Sequence, residues 1–143
     1  MKVFIPHNHS RCQVCSQGFF ADGPICFEAV GVHEALTKKE VLVKYEAFAK
    51  IVPTDKVEGY DGIMQGGIVT TLHDSAMLHC LFQNSINAMT VSLTSRFHHP
   101  IFIGQELEVR AHWVKSRRNI HFLESKITQN GKLCSSAQSQ FMS

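Results

Sequence analysis

Residues 66–82 read Gly66-Gly67-Ile68-Val69-Thr70-Thr71-Leu72-His73-Asp74-Ser75-Ala76-Met77-Leu78-His79-Cys80-Leu81-Phe82, and the spread of apolar side chains in this stretch decides the architecture. Ile68, Val69, Leu72, Ala76, Met77, Leu78, Leu81 and Phe82 cover nearly the whole helical circumference, which predicts a helix buried on all sides. Asn84 and Asn87 close it.

On the C-terminal side the period changes from helical to two. Met89, Val91, Leu93 and Phe97 fall on one face, then Leu107, Val109, Ala111 and Trp113 alternate with Glu106, Glu108, Arg110 and His112, as half-buried antiparallel strands do. A third run, Ile120 to Thr128, switches its apolar phase near Phe122-Leu123, so a bulge or strong twist is expected there. Asn130-Gly131 makes a tight turn into a last strand, Leu133 to Phe141. On the N-terminal side, Ile25 to Val30 and Val41 to Glu46 read as two strands of a hairpin joined by a charged connection, His33 to Glu40. Residues 50 to 65, with Pro53, Asp55, Gly59, Asp61 and Gly62, read as a long loop, and long loops in compact domains are often functional. The economical solution is an α+β domain, an antiparallel sheet of about six strands wrapped around one long central helix at about 66–82. We divide the chain into a polar N-terminal extension, residues 1–21, and a single domain, residues 22–143.

The 143 residues suit one domain. The net charge of +2, from 14 basic and 12 acidic residues, includes no long basic run, which argues against nucleic acid as partner. The opening segment lacks an apolar stretch suited to a signal peptide, and no segment suits a membrane span, so a cytoplasmic protein without membrane association is expected. Five scattered cysteines read as reduced thiols rather than a disulfide framework.

Asp74 is the strongest chemical signal. A carboxylate in the middle of a helix without a solvent face is either paired with a buried base such as Arg96 or points into a cleft. Gly66-Gly67 opens the helix after Gln65, so its N–H groups are free of intrahelical acceptors and open to close approach; with the helix dipole they suit an oxyanion. Gly67 and Asp74 are separated by about 10 Å of helix, too far to touch one scissile bond. A second copy related by a two-fold axis could set its Asp74 opposite the glycines of the first, which predicts an obligate dimer with a shared site.

The stretch Val57-Glu58-Gly59-Tyr60-Asp61-Gly62-Ile63-Met64-Gln65-Gly66-Gly67 through Asp74 to Met77 resembles the signature of hot-dog-fold acyl-CoA thioesterases of the PaaI-like, phenylacetate-degradation type. Met89 to Pro100, the Gly104 turn and Asn130-Gly131-Lys132 are similar to the same family's strand, proline corner and final hairpin, and the likeness spans residues 22 to 143. The resemblance implies a hot-dog fold, a homodimer often doubled to a homotetramer, and an acyl-CoA substrate bound between protomers. It implies Asp74 as general base or nucleophile, Gly66 and Gly67 as oxyanion donors, and Thr90 as a hydroxyl that orients water. No metal or cofactor is called for, coenzyme A being part of the substrate.

Two positions depart from the family pattern. Gln65 stands where the family usually has His, and it can donate a hydrogen bond to a thioester carbonyl without carrying a proton. Gly59 stands where some members have Asn or Gln. These departures admit a non-catalytic acyl or acyl-CoA binding protein as the alternative, and they weigh against a hot-dog dehydratase, which needs a catalytic His. Met64, Leu78 and Leu81 are candidate acyl contacts, and Arg117 and Arg118 candidate partners of the nucleotide phosphates. His7, His9, Cys12 and Cys15 have a spacing that suits a zinc knuckle, or they pack as part of a polar extension. His73 reads as a packed histidine, Cys80 as a small core hydrophobe, and His98 and His99 as parts of the proline corner.

Overall fold

The computed structural model describes residues 1–35 and 41–143. Its main elements are β1 (Glu28–Ala35), β2 (Val41–Ile51), α1 (Gly66–Gln83), β3 (Met89–Phe97), β4 (Leu107–Arg117), β5 (Ile120–Gln129) and β6 (Lys132–Met142). The six strands form one antiparallel sheet in the order β1-β2-β4-β5-β6-β3, and α1 packs on it, chiefly against β4 and β2. This is the α+β, hot-dog arrangement that the sequence predicts. No helix among the described residues is long and apolar enough to cross a membrane.

The helix begins where Gln65, in extended backbone, turns its side-chain oxygen onto the N–H of Ile68 at 2.8 Å, the usual economy of an N-cap. It ends at Asn84, whose amide donates to the carbonyls of Cys80 and Tyr45 at 2.7 and 2.9 Å. Leu72, Met77 and Leu81 are fully buried with Val109, Ala111, Leu123, Ile127 and Phe141 of the sheet in one apolar cluster. The other side of the helix is covered by the N-terminal segment: Cys15 touches Ser75, His9 meets Phe82 edge-on at 4.9 Å, and Phe27 stacks on His79 at 4.4 Å. Val3 and Phe20 belong to the same core. The all-round apolarity of α1 thus has two covers, the sheet in front and residues 1–27 behind.

Several boundaries differ from the sequence reading. The first strand is shifted toward the C-terminus, so that Ile25, Cys26 and Phe27 precede it and His33, Glu34 and Ala35 belong to it rather than to the connection; residues 36–40 of that connection lie outside the described residues. The second strand continues to Ile51 because its far half pairs with β4, Ala47 opposite Ala111 and Ile51 opposite Leu107. The expected bulge at Phe122-Leu123 is present, but the extra residue is Val114 on β4: Trp113 pairs with Leu123 and Lys115 with Phe122.

The strand β3 differs most. Met89, Val91 and Phe97 were expected on a half-buried face, yet they are 76 %, 54 % and 57 % exposed. Two features explain this: among the described residues β3 is an edge strand paired with β6 alone, and a bulge at Val91 breaks its alternation, with Thr90 opposite Phe141 and Ser92 opposite Gln140. A one-residue slip moves side chains to the opposite face. In β3 it turns Thr90 toward the helix.

Candidate active site

Asp74 lies on the one stripe of α1 that neither cover closes. Gly66 and Gly67 are exposed at its start, Thr70, Thr71, Asp74 and Leu78 are half-buried along it, and their spacing of three or four residues places them on one face. The stripe runs beside β3. Thr70 reaches Ser95 of that strand at 3.0 Å, and the Thr90 hydroxyl donates to Asp74 Oδ1 at 2.6 Å.

Burial pushes the Asp74 carboxyl above its ordinary value of 3.8, while the Thr90 hydrogen bond and the charge of His9 pull it partly back. Desolvation therefore wins, as expected for a carboxylate with one hydroxyl partner and no cation within ion-pair distance among the described residues. The alternative pairing with Arg96 is absent: Arg96 is exposed and makes no ion pair with Asp74.

Thr90 also lines a cavity of about 580 Å³ with Leu78, Phe82, Ala88, Met89 and His9. Apolar Leu78, Phe82, Ala88, Met89 and Met142 share its lining with polar Asn8, His9, Asn87, Thr90 and Ser143. Of the expected acyl contacts, Leu78 lines this cavity with Thr90, whereas Leu81 is fully buried in the core and does not. His9 is a wall residue that sequence reasoning missed; its only signal was the apolar back of α1, which required some segment to cover it.

At the other end of β3, Met64, Ile63, Gly66, Phe97, His98 and Pro100 line a second cavity of about 290 Å³. Gly66 and Gly67 find no acceptor for their N–H groups among the described residues, because Gln65 satisfies only Ile68 and Val69. Two free amides at the positive end of a helix can hold a developing negative charge. Gln65 is committed through its oxygen to the cap.

Gly59 has a steric reason to be glycine: a Cβ there would lie 3.0 Å from the Cα of Gln65 and 3.1 Å from its Cβ. The loop closes tightly on Gln65, whose N–H donates to Val57, while Met64 donates to Ile101. The long loop is therefore a shaped support for the helix start. His98 and His99 anchor to the Cys134 carbonyl at 2.8 and 3.1 Å, and they line the glycine-side cavity, a role that the reading as a proline corner missed.

The remaining candidates take other places. Arg117 and Arg118 form the exposed β4–β5 turn, Arg118 at φ 57°. This turn is at the end of the sheet where Asn119 accepts from the N–H of Ser143 at 3.0 Å, and Ser143 lines the Thr90 cavity; the arginines themselves do not line it. His73 is buried between Ser125 and Ser135, hydrogen-bonded to both, and burial lowers its pKa to about 4. Cys80 is buried, bonded to the Tyr45 carbonyl, its thiol pushed up to about 12 by burial. In the N-terminal segment, ligand atoms of His9, Cys12 and Cys15 lie within 4.8 Å of one another, whereas His7 is exposed and outside this group.

A six-stranded antiparallel sheet folded over one long helix is the hot-dog architecture. The chain belongs to the thioesterase superfamily, whose sequence profile matches residues 61–135, more than half of its length. No curated protein matches the chain. Among solved structures, the Escherichia coli PaaI protein from the phenylacetic acid degradation operon shares 15 % identity at a TM-score of 0.67, over 82 % of this chain and 82 % of that one. The Streptococcus mutans UA159 protein smu.793, bound to acetyl CoA, shares 16 % at 0.66, over 79 % and 87 %. Protein RHA08564, a thioesterase superfamily protein, shares 20 % at 0.66, and the match spans 72 % of this chain but 53 % of that one. At these identities the structural likeness speaks for the fold.

Proposed function

We propose that this protein hydrolyses an acyl-CoA thioester in a site completed by two protomers, with Asp74 as general base or nucleophile and the Gly66-Gly67 amides as oxyanion donors. Support for this reading comes above all from the placement of the two half-sites. The carboxylate, with its Thr90 partner and the cavity that Thr90 lines, lies at the Met89 end of β3. The bare amides lie at the Phe97 end. Between them runs a sheet edge with exposed Met89, Val91 and Phe97, the kind of edge that invites another strand. If two β3 strands pair antiparallel about a two-fold near their middle, the Asp74 of one protomer meets the Gly66 and Gly67 of its partner.

In that arrangement Asp74 takes a proton from water, and the oxygen attacks the thioester carbon. The carbonyl electrons move to an oxygen held by the two amides and return as the C–S bond breaks, and the proton passes from Asp74 to the departing thiolate. Attack by Asp74 itself, giving a transient anhydride that water then opens, is the nucleophilic variant. The dimer, or a dimer of dimers, the cytoplasmic location and phosphate contacts by Arg117 and Arg118 belong to the same proposal. Support for acyl-CoA as the thioester comes from the acetyl-CoA-bound structure among the relatives.

The alternative, an acyl-CoA binder without turnover, draws on Gln65, which cannot carry a proton and is engaged as a cap. A thiol-release assay over short, medium, long and aromatic acyl-CoAs, with Asp74→Asn as control, separates the two. Release that disappears in the variant supports the enzyme, and thermal stabilisation by the panel without release supports the binder.

A further inference from the structure

Residues 9–15 fold into a compact turn held by its own backbone. Cys12 donates its N–H to the His9 carbonyl at 3.2 Å, Ser16 donates to the Cys12 carbonyl at 2.9 Å, and the N–H of Cys15 points at Cys12 Sγ, 3.4 Å away. Cys15 is 3 % exposed and anchored to Ser75 of α1 at 3.1 Å. The imidazole of His9 is wedged against Phe82, and its Nε2 is buried without a hydrogen-bond partner among the described residues.

A buried imidazole nitrogen lacking a partner is costly. Here it belongs to a residue whose ligand atom is within 4.8 Å of two cysteine sulfurs. Around a tetrahedral ion with Zn–S and Zn–N bonds of roughly 2.3 and 2.0 Å, ligand atoms stand about 3.5–3.8 Å apart. The group is thus within about 1 Å of a coordinating shape, on a segment already fixed at both ends. Both thiols and an imidazole are soft or borderline donors, which selects zinc over magnesium or calcium.

We propose that His9, Cys12 and Cys15 form a zinc site that clamps the N-terminal segment onto α1 and thereby fixes His9 as a wall of the cavity next to Thr90. Zinc enters as the divalent ion; the two thiols each release a proton to solvent, the neutral imidazole gives its lone pair, and a water or an incoming ligand fills the fourth position. The metal takes no part in the thioester chemistry proposed above, and the site stands or falls independently of it.

The test uses untagged, full-length protein kept reduced, titrated with zinc and, in parallel, with cobalt(II) as a spectroscopic probe. One equivalent should bind per chain, with tetrahedral cobalt bands, a thiolate-to-cobalt charge-transfer band, release of about two protons and a rise in melting temperature. Cys12→Ser, at a half-buried position that leaves the Cys15–Ser75 contact in place, should lose stoichiometric binding and the rise in melting temperature, and His9→Ala should do the same. Cys26→Ser, at an exposed cysteine outside the group, should retain both. Failure of the reduced wild-type protein to bind one equivalent overturns the proposal, as does a charge-transfer band that survives Cys12→Ser.

Discussion

Thr90 donates its hydroxyl hydrogen to Asp74 Oδ1 at 2.6 Å across the gap between β3 and α1, and it can do so only because Val91 bulges out of the strand. Ser95 faces the helix, where it meets Thr70. Strict alternation back from Ser95 would put Leu93, Val91 and Met89 on that face and turn Thr90 outward. The irregularity between Thr90 and Ser92 reverses the phase and delivers the hydroxyl to the carboxylate. Bulges recur beside active sites because they re-aim one side chain at little cost to the rest of a strand.

The Thr90 bond favours the ionised carboxylate against the burial that opposes it. Thr90→Ala removes that support, so the Asp74 pKa rises further and the acid limb of the kcat/KM profile moves to higher pH. Turnover at neutral pH falls on the order of tenfold, the worth of one hydrogen bond to a charged group. Thr90→Ser keeps the donor and restores the profile. A pH–rate series on the three proteins checks this, and an acid limb that stays in place in Thr90→Ala would remove Thr90 from the mechanism.

Asp74→Asn separates activity from stability. Loss of a positioned base lowers kcat/KM by roughly 100- to 10,000-fold. The folded-state pKa of Asp74 lies above 3.8, so the folded protein binds this proton more tightly than the unfolded chain does. Any stability linked to it is present below the unfolded pKa and lost as pH rises through the folded value. At neutral pH the buried charge is therefore a cost, which the Asn variant removes while still accepting from Thr90. Urea midpoints should show Asp74→Asn more stable than wild type at pH 7, with the gap closing toward pH 3.8 and below. A variant less stable than wild type at pH 7 would contradict the assigned direction.

The helix and its limits were legible because α1 is long and apolar on every side, and β4 to β6 were legible because Leu107, Val109 and Ala111 alternate cleanly and Asn130-Gly131 adopts the positive φ values, 53° and 74°, of its turn. The phase of β3 was not, since a bulge at Val91 depends on its pairing with β6, a contact remote in sequence. Asp74 stood out because carboxylates are rare inside helices of this kind. The family resemblance offered Thr90 only as a hydroxyl that orients water, its bond to Asp74 depends on the β3 bulge, and His9 on the cavity wall follows from how residues 1–27 cross the back of α1, which no local pattern encodes. The Gly59 departure looked like a missing functional group. Its place against the backbone of Gln65 makes it a packing requirement.

Gly59 and Gly67 both crowd Gln65, but in different ways. A Cβ at Gly67 would meet the Gln65 side-chain oxygen at 3.0 Å, the far end of a flexible chain, whereas at Gly59 it would meet backbone at the same distance. Gly67→Ala should therefore displace the cap and destabilise by about 1 kcal/mol, and Gly59→Ala should force the loop away from the helix start, costing about 1–3 kcal/mol. Gly66→Ala, with only the Phe97 ring at 3.8 Å, should be the mildest of the three. Denaturant midpoints rank them, and a Gly59→Ala protein as stable as wild type would mean that the loop is looser than its hydrogen bonds to Val57 and Ile101 indicate.

The edge of β3 carries the last prediction. Met89 and Val91 are exposed apolar side chains on a strand with one side unpaired among the described residues. If this edge pairs with its copy, both side chains lie in or beside the junction, and a charge at each would be placed near its like across the two-fold axis. Val91→Glu combined with Met89→Glu should then convert a dimer to a monomer in sedimentation velocity, and thiol release should fall with the dimer because Asp74 and the Gly66-Gly67 amides no longer meet. In the monomer neither position is buried, so far-UV circular dichroism should be unchanged, which distinguishes separation of subunits from unfolding. A double variant that remains dimeric and active would place the subunit junction elsewhere, and about 10 Å of helix would again separate the carboxylate from the amides it needs.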